Sequence, residues 1–442
     1  MGEVSEILKG WQAKGIAYVR FELPDMHGIS RSKTIPIKHA FDYAERGLNM
    51  YGGASVLDTR SDVVGGTLYH GETGYADQLL FPDPSSAAVL PWVDRTARVI
   101  CDAQWYDGSP LAATPRHVFR TALARANSLG FDPVMGSEFE FYLLTGGSHE
   151  PLFDGYHIFN TVRNDYVPTI RRIIDEMPQV GVDIITANCE YAGSQWEINF
   201  APGRGLSGPD NAFTFKNGVK EIAKQDGYLA TFMSKPWAGQ AGSGCHTHVS
   251  MLSTESGENI FGDDGDPNGM SDLCRSFIAG LLKYAQAIDA VIAPTLNCLR
   301  RRRPHTFSPS NISWGLEDRS ALVRVKGGRP ASKHIEYRAP SALSNPYLVG
   351  AALLQAGLQG IEDGLSAPEP SKAGLPAEDD PSFEKLPTDL GQSLDAFDSE
   401  PMTREFFGDD FVTAYSAMRR YELSRFNDWV SDWERTEYLV MF

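Results

Sequence analysis

Apolar and polar positions change their period along this chain, and the changes divide it. Residues 1–15, MGEVSEILKGWQAKG, space their apolar positions as one face of a short helix. From there to about residue 105 the pattern predicts mainly strands and turns. IAYVRFEL (16–23) has strand composition, DMHG behind it has turn composition, and ARVICDAQW (97–105) is a further strand closed by YDGSP. After Pro115 the period becomes helical in RHVFRTALARANSLG, where Gly130 suits a C-cap. That shift predicts two domains, 1–109 and 110–442. Further on, strands and helices alternate irregularly. FEFYLL (139–144) reads as a strand, and YVPTIRRIIDEMPQVG contains a helix. VDIITANCEYAGSQWEINF reads as two strands joined at Gly193, GCHTHVSML as one strand, and residues 346–365 as one long helix. The Pro-, Asp- and Glu-rich stretch 366–388 predicts an exposed loop, and the chain from Phe397 onward is helical up to a terminal YLVMF.

Composition narrows the class. The chain has 442 residues, 42% hydrophobic and 22% charged, which is ordinary for a globular protein with large cores. A net charge of -17 argues against a nucleic-acid or anionic-membrane binder. The five cysteines are widely spaced without a CxxC, which suits reduced thiols rather than disulfides or a zinc knuckle. The N-terminus lacks the apolar run of a signal peptide. The most apolar helical stretch, 277–294, carries Lys283 and Asp289 and is too short to span a bilayer. A cytoplasmic protein with no membrane or nucleic-acid partner is expected. Against this acidic background RRRRPHTFSPSNISWG (300–315) stands out. Its arginines predict a local phosphate or carboxylate, and Phe307 is an apolar residue among polar ones.

Four constellations carry candidate chemistry. Glu138 and Glu140 in GSEFEF share a strand face, where like charges repel unless cations lie between them. Metal site and solvated face are the two alternatives, with Phe139, Phe141 and Tyr142 arguing for burial. Glu190 and Glu197 in CEYAGSQWEI lie on opposite faces of a straight strand, but a reversal at 192–194 would bring them to one surface. His246 and His248 share a face after a glycine-rich turn. Beside carboxylates such imidazoles suit Mg, Mn or Zn, although single histidines are more often structural. Arg319 and Arg324 in EDRSALVRV, with Glu336 and Arg338 in HIEYRAP, supply planar forks that match carboxylate and phosphate oxygens.

In this order, GSEFEF, CEYAGSQWEI, GSGCHTH, NCLRR, EDRSALVRV and HIEYRAPSALSNPYL resemble the glutamine synthetases, from DMHG to the C-terminus. The resemblance implies an α+β fold: an N-terminal β-grasp domain and a larger catalytic α+β domain with an antiparallel sheet. It implies a homo-oligomer of two stacked rings with sites between subunits. Two divalent ions, Mg²⁺ or Mn²⁺, are implied, one held by Glu140, Glu190 and Glu197 and the other by Glu138, His246 and Glu336. Gly242, Arg301 and Arg338 would receive glutamate, Arg319 and Arg324 would face the ATP phosphates, and His248 and Ser250 would lie near the nucleotide. Tyr166 would line the amine pocket. The implied reaction makes γ-glutamyl phosphate from glutamate and ATP and passes the acyl group to an amine.

Departures from the family pattern bear on that amine. Ammonia-using members place one acid in a DGSS-like segment and another on a PGYEAP-like flap. Here YGGASV puts Gly52 at the first position and PHTFSP puts Phe307 at the second. Ala241 also replaces an asparagine that usually precedes the substrate-loop glycine. Ammonium needs an anionic pocket and a base, whereas glycine and phenylalanine offer space and an apolar wall. Similar departures occur in γ-glutamylamide ligases, so an apolar alkyl- or arylamine is the expected acceptor, with Asp58 or Asp62 as a substitute base. The competing readings are an ammonia-using glutamine synthetase, a non-catalytic protein on the same fold, and a generic metal-dependent phosphotransferase. Glu384, near the place of a modifiable tyrosine in some bacterial members, predicts no adenylylation.

Overall fold

The computed structural model describes residues 2–155 and 158–442. Two sheets organise it. The first joins strands β1 (Tyr18–Pro24), β2 (Ser30–Pro36), β3 (Leu48–Tyr51), β4 (Asp77–Pro82), β5 (Ala88–Val89) and β6 (Thr96–Gln104). Its order is β2-β1-β6-β4-β3, with β5 on β6. The central β1–β6 pair is parallel and its flanking pairs are antiparallel, the arrangement of a β-grasp. The DMHG turn is locked by Asp25, which accepts the N–H groups of His27 and Ile29, each at 2.9 Å, and pairs with Arg31.

The second sheet holds β7 (Phe131–Thr145), β8 (Ile184–Cys189), β9 (Gln195–Phe200), β10 (Gly203–Arg204), β11 (Tyr228–Thr231), β12 (Cys245–Ser253), β13 (Trp314–Leu316), β14 (Val323–Val325) and β15 (Ile335–Tyr337). Its order is β13-β14-β15-β12-β7-β9-β8, with β10 and β11 also on β7. Only the β13–β14 pair is parallel among these strands. β7 is its hub and begins eight residues before the expected strand. Helices Pro115–Ser128, Ser207–Gln225 and Pro346–Glu362 pack together beside this sheet. Asn345 caps the last of these by accepting the N–H of Tyr347 at 3.0 Å, and Pro346 opens it without wasting a donor.

One hydrophobic core runs from Leu8 to Met418 and joins both sheets. A buried ionic cluster also ties them. The Arg116 guanidinium meets Asp83 and Asp102 of the first sheet region, each at 2.7 Å, and Asp210 of helix Ser207–Gln225 at 2.8 Å. The five cysteines are buried, and none forms a disulfide among the described residues.

Two expectations are corrected. Helix Ile37–Arg46 interrupts the strand-rich N-terminal region; Ile37, Ala40, Phe41 and Ala44 follow the helical period, a signal that the strand reading passed over. The apolar stretch 277–294 is split at Tyr284 into helices Asp272–Lys283 and Ala285–Ile292. Among the described residues no helix is long and apolar enough to cross a membrane. Residues 366–388 form the expected loop, mostly exposed, and are strapped down at a few points. Pro368 accepts the Trp314 indole N–H at 2.7 Å, and Ala377, Asp380 and Leu386 are buried. The C-terminal end, by contrast, leaves Trp429, Trp433, Leu439 and Phe442 exposed.

Candidate active site

The register of the larger sheet gathers the charged residues. β12 sets His246 opposite Glu138 and His248 opposite Gly136 on β7. β9 sets Glu197 opposite Glu140. β15 sets Glu336 opposite His248, and β14 sets Arg324 opposite Glu336. Directly opposed residues share a face and alternate residues repeat it, so all of these point one way. The buried Phe139 and Phe141 take the other face. Glu190 joins from just past β8. Its N–H donates to the Gln195 carbonyl at 2.7 Å, closing a tight reversal. The left-handed residue of that reversal is Ser194 (φ 62), not Gly193. Glycine is needed at 193 for another reason: a Cβ there would come within 2.3 Å of the Phe153 carbonyl oxygen.

Glu138 is the meeting point of the face. One carboxylate oxygen lies 3.0 Å from His248 Nε2 and the other 3.4 Å from His246 Nδ1. Burial opposes its ionisation, but the two histidines outweigh burial and hold the carboxyl well below the usual range. Glu336 is likewise buried, yet His246, Arg338 and His248 lower it to about 2. The other acids go the opposite way. Burial, then repulsion from Glu140, raises Glu197 to about 8 and Glu190 to about 7. Two donor triads, Glu138–His248–Glu336 and Glu138–Glu197–His246, each have ligand atoms within 4.8 Å of one another. His246 Nε2 is buried with no hydrogen-bond partner. Crowded buried carboxylates and an unpartnered imidazole nitrogen fit divalent cations with hard oxygen and nitrogen ligands.

This predicts a pH signature. Groups whose folded pKa is raised contribute stability below their ordinary value and lose it as pH rises through the folded one. Relative to Glu197→Gln, the metal-free protein should therefore lose melting temperature as pH rises from about 5 to about 8. Each such group contributes a slope of at most ~1.4 kcal/mol per pH unit. Added Mn²⁺ should remove the decline. A decline no steeper than that of Glu197→Gln, read by calorimetry, would refute the assignment.

The family model described as glutamine synthetase, catalytic domain, matches residues 112–438. The chain belongs to the glutamine synthetase family. Curated relatives include a glutamine synthetase from Mycolicibacterium smegmatis, 34% identical with 98% of each chain covered. A glutamate–isopropylamine ligase from a Pseudomonas species is 31% identical, covering 95% of this chain and 94% of that one. A γ-glutamylethanolamide synthetase, GlnA4, from Streptomyces coelicolor is 33% identical, covering 96% and 92%. Among solved structures, a GmaS/ADP complex superposes with a TM-score of 0.86 at 29% identity, covering 98% of this chain and 99% of that one. The expected glutamine synthetase-like fold is therefore the fold of the chain, and its family relatives are carbon–nitrogen ligases that use ATP and divalent metals.

The arginines of this glutamine synthetase family member divide. Arg324 bridges Glu336 at 2.9 Å and Glu317, and Arg338 pairs with the other oxygen of Glu336. Arg338 Nη2 also donates to the backbone carbonyl of Phe307 at 3.4 Å. Arg301 is buried and donates to the carbonyls of Ala339 and Pro340 at 3.2 and 3.3 Å. It explains two glycines, because a Cβ at Gly242 or Gly244 would strike its side chain at 2.6 or 2.4 Å. Arg302, the next in the run, pairs with buried Asp289 at 2.5 Å and is structural. Arg319 is exposed, its charge reaches Glu190, and it lines a groove of about 770 Å³ together with Phe307.

Other expected residues lie apart from that groove. Gly52 is buried in the first sheet region, where a Cβ would meet the Ala76 carbonyl at 2.9 Å and Trp105 at 3.0 Å. Tyr166 is half-exposed and packs edge-on against Phe153 at 4.8 Å, with Arg163 above both rings. Ser250 lies two residues beyond His248 and donates to the Lys333 carbonyl at 3.0 Å. Asp58 does not stand ready as a base. It is buried, accepts the N–H groups of Arg60 and Asp62 at 2.8 Å, and pairs with Arg425. Asp62 turns to the same helix, accepting the Tyr421 hydroxyl at 3.3 Å.

Sequence reasoning missed the residues that hold Glu140 and Glu197. Gly244 N–H donates to Glu140 at 2.9 Å, and Gln195 Nε2 reaches the same oxygen at 3.3 Å and the Gly242 carbonyl at 3.0 Å. Asn199 donates to Glu197 at 3.1 Å. Gln195 and Asn199 lie two residues either side of Glu197, and that strand spacing was the available signal.

Proposed function

We propose that the chain uses ATP to activate the γ-carboxylate of glutamate and transfers the γ-glutamyl group to an organic amine, with an apolar alkyl- or arylamine favoured. Phe307 carries this reading. It lines the groove beside Arg319, and its backbone is tied to Arg338, where an ammonia-using enzyme would want an acid. Relatives named as isopropylamine and ethanolamide ligases support it.

Glu138, Glu140, Glu190, Glu197, His246 and Glu336 would hold the two divalent ions. Bound there, the metals would supply positive charge against the phosphates. Gly242, Arg301 and Arg338 receive glutamate, while His248 and Ser250 border the nucleotide. The γ-carboxylate oxygen attacks the γ-phosphorus and ADP leaves. Arg319 and Arg324 neutralise charge on the transferring group. A neutral amine then attacks the acyl carbon, loses a proton, and expels phosphate. The groove's apolar walls, Phe307, Leu316 and Leu375, accept the amine's substituent.

The ammonia-using reading keeps one specific support: Asp318 and Glu378 line the same groove, and glutamine synthetases stand among the relatives at similar identity. ADP release across an amine panel with glutamate and Mn²⁺ decides. Turnover best with ammonia overturns the proposal, and no turnover with any amine favours a non-catalytic role. In Phe307→Glu, kcat/KM for the preferred amine should fall by about tenfold to a hundredfold, the range for spoiling an apolar pocket. An unchanged amine profile would remove Phe307 from the pocket.

We also infer a homo-oligomer of the double-ring kind with sites completed by a neighbouring copy. The separation of Gly52 from the groove and the exposed apolar C-terminus both support it. Sedimentation at the 48.6 kDa monomer mass under turnover conditions would overturn it.

A further inference from the structure

A second cavity of about 650 Å³ lies against the opposite face of the larger sheet. Glu138 and Glu140 point to the charged face, so Phe139 between them points away. There the Lys216 ammonium sits 5.6 Å from the centre of the Phe139 ring and 5.7 Å from that of Phe232. Lys216, Lys220 and Lys224 line the cavity with Arg419, His27 and His149, and no aspartate or glutamate lines it. In a chain of net charge -17 this is a local reversal of sign. The lysines are spaced four apart on helix Ser207–Gln225, which places them along one side of it.

Internal needs do not account for these charges. Taking an ammonium out of water costs several kcal/mol unless it is paired. Lys216 is 3% exposed and gives one proton to the Ser344 carbonyl at 2.9 Å, which leaves two. Lys220 lies over the Phe232 ring at 5.7 Å and makes no hydrogen bond or ion pair among the described residues. Arg419 is buried and pairs with Glu422 at 2.8 Å, so its charge is met within the fold and only its Nε has no partner. The carboxylate whose charge reaches the lysines, Asp25, is already saturated by two N–H groups and Arg31. Burial, with the charge of Lys220, pushes Lys216 down to about 7. Much of the remaining wall is apolar, with Leu229, Ala230, Phe232 and Met233 among it.

We propose that this cavity binds a small organic carboxylate with an apolar body, the carboxylate meeting Lys216 and Lys220 and the body lying against Phe232 and Met233. Its size is that of a small-molecule site. Inorganic phosphate, polar on every side, would leave the apolar wall unused.

Calorimetric titration of the Mn²⁺-loaded protein tests this, with saturating glutamate and ADP filling the site on the other face. Phenylacetate is the probe, and uncharged phenylacetamide and inorganic phosphate are the controls. Phenylacetate should bind while both controls fail. Lys220→Met should weaken it at least about tenfold, the loss of one charged contact, with ligase turnover unchanged. Leu229→Trp, which fills the mouth and keeps the charges, should weaken it too. No phenylacetate binding, equal binding by Lys220→Met, or phosphate binding that Lys220→Met abolishes would each overturn the proposal. Because the readout is binding away from the amine groove, its failure is separable from failure of the ligase reading.

Discussion

Glu138→Gln should lower the turnover of amide synthesis on the order of 10³-fold or more, the scale for removing preorganised charge stabilisation from a transferring group. Glu138 belongs to both donor triads and touches both histidines. With Glu336, it is also an acid the face keeps ionised while Glu190 and Glu197 are pushed toward protonation. The amide keeps the shape but removes a negative ligand from two places at once. Mn²⁺ stoichiometry should fall with activity, and the metal-free melting temperature should fall as well, because the ionised carboxylate is held by both histidines. Turnover above about a tenth of the parent would exclude Glu138 from the metal face.

Arg116→Met should cost about 3–5 kcal/mol of stability, as expected when one partner of a buried ionic cluster is removed. Arg116 is 1% exposed and satisfies Asp83, Asp102 and Asp210 together. Tyr347 donates to the same Asp210 at 2.6 Å, so the cluster reaches the central helix Pro346–Glu362. Asp83 is opposed by burial but lowered to about 2 by Ser85 and Arg116. Its contribution is present above the ordinary carboxylate range and lost as pH falls toward 2, so the variant should also lose part of the parent's acid-unfolding step. Lysine should not rescue, because one ammonium cannot reproduce the fork. A urea-unfolding cost below about 1 kcal/mol would show that the two sheets do not depend on this tie.

The charged face was legible because its chemistry sits in pairs at strand spacing. Glu138 with Glu140 and His246 with His248 show their shared face without any partner strand. Which pairs oppose each other was not legible, since register is a tertiary property set by turns and core packing. The early start of β7 was hidden by Pro133 and Gly136, both ordinary strand breakers. Gly136 is tolerated because Pro202 packs 3.4 Å from where its Cβ would lie. Gln195 and Asn199 were passed over because their only signal is their spacing two residues either side of Glu197, which matters only once Glu197 is known to be buried. The run at 300–303 illustrates both limits. Its sequence marks one anion site, whereas the fold spends Arg302 on Asp289 and buries Arg301 beside two glycines.

The tether between Arg338 and residue 307 runs through a main-chain carbonyl, an atom every amino acid possesses. The side chain at 307 is 68% exposed and holds nothing in place. A library randomised there would test the proposed acceptor role while leaving the arginine's anchor untouched. The one filter is the left-handed backbone (φ 55), which penalises β-branched residues and tolerates glycine, asparagine and aspartate. Should residue 307 border the acceptor as proposed, one substitution there would alter the amine taken without loosening the Arg338 tether.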